Sequence, residues 1–200
     1  MTREISSFGD NAVATMQTKA VGSETVGIEG YYHVECRDKD GNLKWEEHFP
    51  NLVTAVGKQL MFDTLLAGTS YTTVGPYLGL ISGTGNTFLA ADTMGSKAWT
   101  EFANYTVGGN AVRGTAVFSA ATSSGSSPAN VTTSAASAIT YTITGGGGTV
   151  GGCFLVTGSG ASSTISNTSG TLYSAGDFST AKVTTAGDTV SVTYSTTATS

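Results

Sequence analysis

The sequence predicts an all-β chain: an antiparallel β-sandwich, jelly-roll-like, with one short α-helix and an extended N-terminal arm. Three observations carry that prediction. Thr, Ser and Gly make up 84 of the 200 residues, a bias that works against long helices. Short segments of alternating polarity recur along the chain, with Gly- and Ser-rich breaks between them. Apolar residues at 39%, including eight Phe, eight Tyr and two Trp, still supply one sizeable core. The predicted organisation is an arm over residues 1–27 and a sandwich domain over residues 28–200.

The arm is read from isolated apolar residues with no sustained period. From Tyr31 the alternation is clean: Tyr32, Val34 and Cys36 face one way, His33, Glu35 and Arg37 the other. Asp38-Lys39-Asp40-Gly41-Asn42 is a turn cluster in which Gly41 is free to take positive φ. Leu43 and Trp45 are then expected inward, with Lys44, Glu46 and His48 outward. Matching the two apolar faces calls for an even-length loop, because a one-residue slip inverts a strand. A two-residue turn at Asp40-Gly41 sets His33 opposite His48, whereas a shift by one pair sets Glu35 against Lys44.

Thr54 to Leu66 is the one helix, with Thr54 as N-cap and Gly68 just past its end. Apolar residues run most of the way round it, which predicts burial against a sheet. Strands follow at Tyr77–Ile81, Ala98–Tyr105 and Val112–Ser119. Ile139, Tyr141 and Ile143 alternate with threonines, Gly145–Gly148 turns the chain, Cys153–Thr157 returns, and Val190, Val192 and Tyr194 close the domain. Residues 120–137, rich in Ser, Thr and Ala, read as a long loop or a segment ordered by a partner.

Charge excludes several functions. The net charge is −5 with no Lys/Arg run, so nucleic-acid binding is not expected. No apolar run is long enough for a membrane helix, and the first residues lack a signal-peptide core. The chain is therefore expected to stay where it is made, unless it leaves inside a larger particle. In that setting Cys36 and Cys153 read as buried free thiols. Of the 23 charged residues, 20 lie in residues 1–113; only Asp177, Lys182 and Asp188 follow. A domain half so poor in charge is expected to rely on hydroxyls and amides or to be covered by a partner.

Catalytic groups are scarce. His33 and His48 fall on the outer face of the hairpin and read as exposed strand residues without the further ligands a metal needs. Asp38-x-Asp40-Gly41 resembles the start of a calcium loop but has no distal Glu, so it reads as a turn. Gly145–Gly148 is followed by neither Lys-Ser/Thr nor a helix, and so is no phosphate loop. Asp92 and Glu101 could pair as acid and base, at a separation the sequence does not fix, and two carboxylates among fourteen are a weak signal. Neither an enzymatic activity nor a cofactor is expected.

The order of motifs is itself informative. Asn51-Leu52-Val53-Thr54 precedes Gly57 and the helix; Tyr77-Leu78-Gly79-Leu80, Asp92-Thr93-Met94 and Trp99-Thr100-Glu101 follow, then Tyr105 and Arg113. The tail carries Gly152-Cys153-Phe154-Leu155, a run from Gly170 to Phe178, and Ala186-Gly187-Asp188-Thr189-Val190. Over roughly residues 31–195 this series resembles small virion structural proteins of tailed bacteriophages, in particular capsid decoration (cement) proteins. The resemblance implies a chain on the capsid surface, assembled in the bacterial cytoplasm, with the major capsid protein and sister copies (a dimer or trimer) as partners. Phe8, Tyr71 and Phe178 are the aromatics expected at such interfaces. A tail-fibre or tail-associated module that binds a receptor or carbohydrate is the alternative.

Overall fold

A computed structural model describes residues 27–67, 74–83, 85–121, 130–133 and 137–199. The chain is a two-sheet antiparallel sandwich. One sheet contains β1 (Gly27–Arg37), β2 (Leu43–Pro50), β5 (Tyr105–Thr106), β7 (Asn130–Thr132), β8 (Ile139–Ile143) and β11 (Thr189–Thr199). Its order is β2-β1-β11-β8-β5, with β7 also paired to β11. The other contains β3 (Leu52–Val53), β4 (Tyr77–Ser82), β6 (Gly114–Thr115), β9 (Gly148–Thr157) and β10 (Thr171–Thr184), in the order β3-β10-β9-β4-β6. Pairing is nested: β1 with β11, β3 with β10, β4 with β9, and β5 with β8. The first half of the chain thus pairs antiparallel with the second. The predicted arm lies outside the described residues as far as residue 26, and Gly27 already belongs to β1.

The two sheets differ in what covers them. The first sheet has an open outer face, so β8 alternates buried and exposed along its whole length. The second is covered on both faces. Leu78, Leu80, Cys153 and Leu155 point into the main core, whereas Phe154, Val156, Leu172 and Ala175 form a second cluster on the far side. Met94 and Trp99, from the irregular stretch before β5, close that cluster, with Trp99 packed 5.0 Å from Phe154. Strands buried on both faces lose their polar alternation, and β9 is accordingly buried from Val150 through Val156. The charge-poor half of the sequence contains these interior strands, so its shortage of charge is met by burial within the domain itself.

Several expectations are corrected. Ala98–Tyr105 is not a strand: only Tyr105–Thr106 pairs regularly, and Glu101 makes a single bridge to Ile81. Val112–Ser119 contracts to β6. Within 120–137, Asn130–Thr132 forms a strand instead of loop, while residues 122–129 and 134–136 lie outside the described residues. The hairpin turn is the odd-length Asp38–Asn42, closed by Asp38 Oδ1 accepting from the Asp40 and Asn42 amides, each at 2.9 Å. A bulge restores the parity: Cys36 pairs with Trp45, but Arg37 pairs with Leu43. Leu43 is thereby turned out, 50% exposed, and the extra residue, Lys44, reaches Asp188.

Tyrosines stitch the sheets together. Tyr32 shares a hydrogen bond of 2.9 Å with Ser174 Oγ, Tyr141 donates to the Leu78 carbonyl at 2.8 Å, and Asn51 donates to the Tyr194 hydroxyl at 3.0 Å. A hydroxyl that finds a partner removes the cost of burying it. Both cysteines are buried and free, as expected. Burial, with a smaller contribution from Asp188, pushes the Cys36 thiol up to about 11, which keeps it protonated and unreactive at neutral pH.

Asp188 sets an acid limit on stability. Burial raises its carboxyl, but hydrogen bonds from Lys44 and from the Thr185 amide outweigh burial and hold it below the usual range. Glu47 is lowered in the same way, its burial outweighed by Lys182 and Ser179. A depressed carboxyl stabilises the fold above its unfolded pKa and loses that contribution as pH falls through the folded one. The urea midpoint is therefore expected to drop as pH is lowered below about 4, and Asp188→Asn is expected to flatten that dependence.

Candidate functional site

The helix α1 (Ala55–Leu65) is where the fold departs furthest from a self-contained sandwich. Its start is fixed by Thr54, 1% exposed. The Thr54 hydroxyl donates to the Leu172 carbonyl and accepts from the Gly57 amide at 3.0 Å. The Thr54 amide donates to the Tyr173 carbonyl at 3.0 Å. Gly57 is the buried residue of the helix, and a Cβ there would stand 2.7 Å from the Tyr173 carbonyl oxygen. The missing side chain thus lets the helix press directly onto the backbone of β10. Thr54→Ala removes the cap and the bond to Leu172 together, and is expected to cost about 1–2 kcal/mol in a urea titration.

Seating on β10 leaves part of the helix surface bare. Met61, Phe62, Leu65 and Leu66 are 38%, 55%, 79% and 72% exposed. Met61 and Leu65, and likewise Phe62 and Leu66, are i, i+4 neighbours, so the four side chains form two adjacent exposed apolar rows. The expectation of a buried helix is corrected here. Apolar residues run most of the way round the helix, as the sequence indicates, but one sheet can cover only one side of it, and Val56, Gly57 and Leu60 take that side. The signal in the sequence is the pair of doublets Met61-Phe62 and Leu65-Leu66, four residues apart.

Tyr173 links the patch to a second apolar feature. Its hydroxyl lies 3.6 Å from Met61 Sδ. The same residue lines an open cavity of about 200 Å³ together with Pro76, Phe118, Leu155 and Tyr194.

The predicted contact aromatics fall elsewhere. Phe8 and Tyr71 lie outside the described residues. Phe178 is 6% exposed and packs against Trp45 and Phe49, with ring centroids 5.5 and 5.1 Å away, so its surface is spent on the core.

The acid–base pair does not form. Asp92 is buried and caps a turn by accepting from the Leu89 amide at 3.0 Å. Glu101 is clasped by Arg113, Nε to Oε1 at 2.9 Å and a terminal nitrogen to Oε2 at 2.7 Å. Arg113 also donates to the carbonyls of Ser162 and Asn167, tying the β9–β10 connection to the stretch before β6.

The chain matches no family model, no curated protein and no solved structure.

Proposed function

We propose that this chain is a structural protein that works by burying surface, binding the outside of a phage head and stabilising the shell. The exposed apolar face of α1 carries this reading. Patches of contiguous exposed apolar residues mark interaction surfaces, and apolar and aromatic residues dominate the buried centre of protein interfaces. The sandwich behind α1 is a rigid mount, because the helix is clamped to β10 by its cap and by backbone contact at Gly57. Binding of this kind needs complementarity and mass action and no bond chemistry. The motif series that resembles decoration proteins supplies the proposed partner, the major capsid protein.

Quantitative cryo-electron microscopy of particles of the encoding phage, with densitometry of the same preparation, tests the proposal. Hundreds of copies on the shell, with α1 turned towards the coat, are the expected result. A handful of copies confined to the tail would overturn it in favour of a receptor-binding module.

A further inference from the structure

The outer face of the β1–β2 hairpin carries two rungs of like side chains. His33 pairs with His48, and Glu35 with Glu46. The imidazoles stack with centroids 4.2 Å apart and planes 21° apart. His33 Nε2 lies 2.7 Å from Glu46 Oε1. One ligand atom from each of His33, Glu35 and Glu46 lies within 4.8 Å of the other two. On the other side of β1 the same level offers hydroxyls alone, Thr193 beside His33 and Ser191 beside Glu35.

Two carboxylates set directly opposite each other across a strand pair repel. Arg37 reaches Glu35 at 3.1 Å and His33 reaches Glu46, but one guanidinium and a neutral imidazole do not balance both acids. A divalent cation between the strands would, and the donor set selects its kind. Imidazole nitrogen combined with carboxylate oxygen suits zinc, whereas magnesium and calcium favour oxygen-only shells. Zinc–ligand distances of about 2.1 Å place tetrahedral ligands about 3.4 Å apart, a separation that side-chain rotation brings within reach from the observed spacing. The β1 backbone that carries His33 and Glu35 is held by pairing on both sides.

We propose that His33, Glu35 and Glu46 bind one zinc-class divalent cation on the outer face of this hairpin. His33 supplies Nε2, the two glutamates one oxygen each, and water completes the shell. His48, stacked on His33, fixes the plane of the ligating ring. The proposal goes beyond the structural role and is independent of it, since the hairpin and α1 are separate surfaces. It also revises the expectation that the hairpin histidines lack further ligands: the observed register brings Glu35 and Glu46 to His33.

Calorimetric titration of the chelator-stripped full chain with zinc chloride at neutral pH tests it. One zinc per chain is expected, with a hundredfold excess of magnesium unable to displace it. His33→Ala and Glu46→Gln are each expected to weaken binding by about tenfold or more. Glu29→Gln, an exposed acid further along β1, is expected to leave the affinity unchanged. All these side chains are at least partly exposed, so unchanged circular dichroism is expected to show that the variants fold. No saturable uptake, equal affinity in His33→Ala, or displacement by magnesium would each overturn the proposal.

Discussion

Arg113→Ala is expected to destabilise the domain by about 3–5 kcal/mol, the range for breaking one side of a buried ion pair. The Arg113 side chain is fully buried and that of Glu101 is 3% exposed. Removing the arginine leaves the carboxylate in the interior with the Ser166 amide and the Tyr105 hydroxyl as its remaining hydrogen-bond partners among the described residues. It also frees the carbonyls of Ser162 and Asn167, and leaves the Phe154 ring without the cation 5.1 Å from its centre. The penalty arises from the unpaired charge, so replacing both partners with apolar residues is expected to cost less than Arg113→Ala alone. Urea denaturation of the single and double variants measures this. A loss below about 1 kcal/mol for Arg113→Ala, the scale of an exposed pair, would contradict this view of the site as a buried clamp.

Phe62→Ser with Leu65→Ser is expected to weaken attachment to the shell by about a hundredfold or more while leaving the fold intact. Side chains that carry an interface cost about 2 kcal/mol or more each when truncated, and about 1.4 kcal/mol is a factor of ten. Neither side chain supports the domain, since both point away from β10, and exposed substitutions of this kind stay within about 0.5 kcal/mol of neutral. Val183→Ser is the matched control, an exposed apolar residue of β10 away from α1. Reattachment of purified variants to stripped particles measures the effect. Equal loss for Val183→Ser would mean that the shell senses general surface polarity and not this face.

What could be read from the sequence follows from which surfaces water reaches. The hairpin, β8 and β11 announce themselves by alternation because the outer face of their sheet is open. β9 and β10 do not, because a loop layer carrying Met94 and Trp99 buries the far face of theirs, and a strand with two dry faces has no polar side to show. Trp99 and Phe102 imitate a strand for the same reason: they are apolar because they fill clusters, not because they line a ladder. The bulge at Lys44 is invisible as well, since it compensates a turn of odd length that the sequence does not fix. Helix type and cap were legible at Thr54. Coverage was not, because it depends on how closely Gly57 lets the helix approach Tyr173. The Arg113–Glu101 clamp joins two charges that look unremarkable in sequence until the fold removes both from water.

The central claim is that the apolar face of α1 is covered when the chain is in place on its partner. Hydroxyl-radical footprinting tests it directly, by comparing the labelling of Met61, Phe62, Leu65 and Leu66 in the free chain and in chain bound to the particle. The account predicts strong labelling of all four when free and loss of labelling on binding, with Leu43 and Val183 labelled equally in both. Unchanged labelling of α1 on the particle would contradict it.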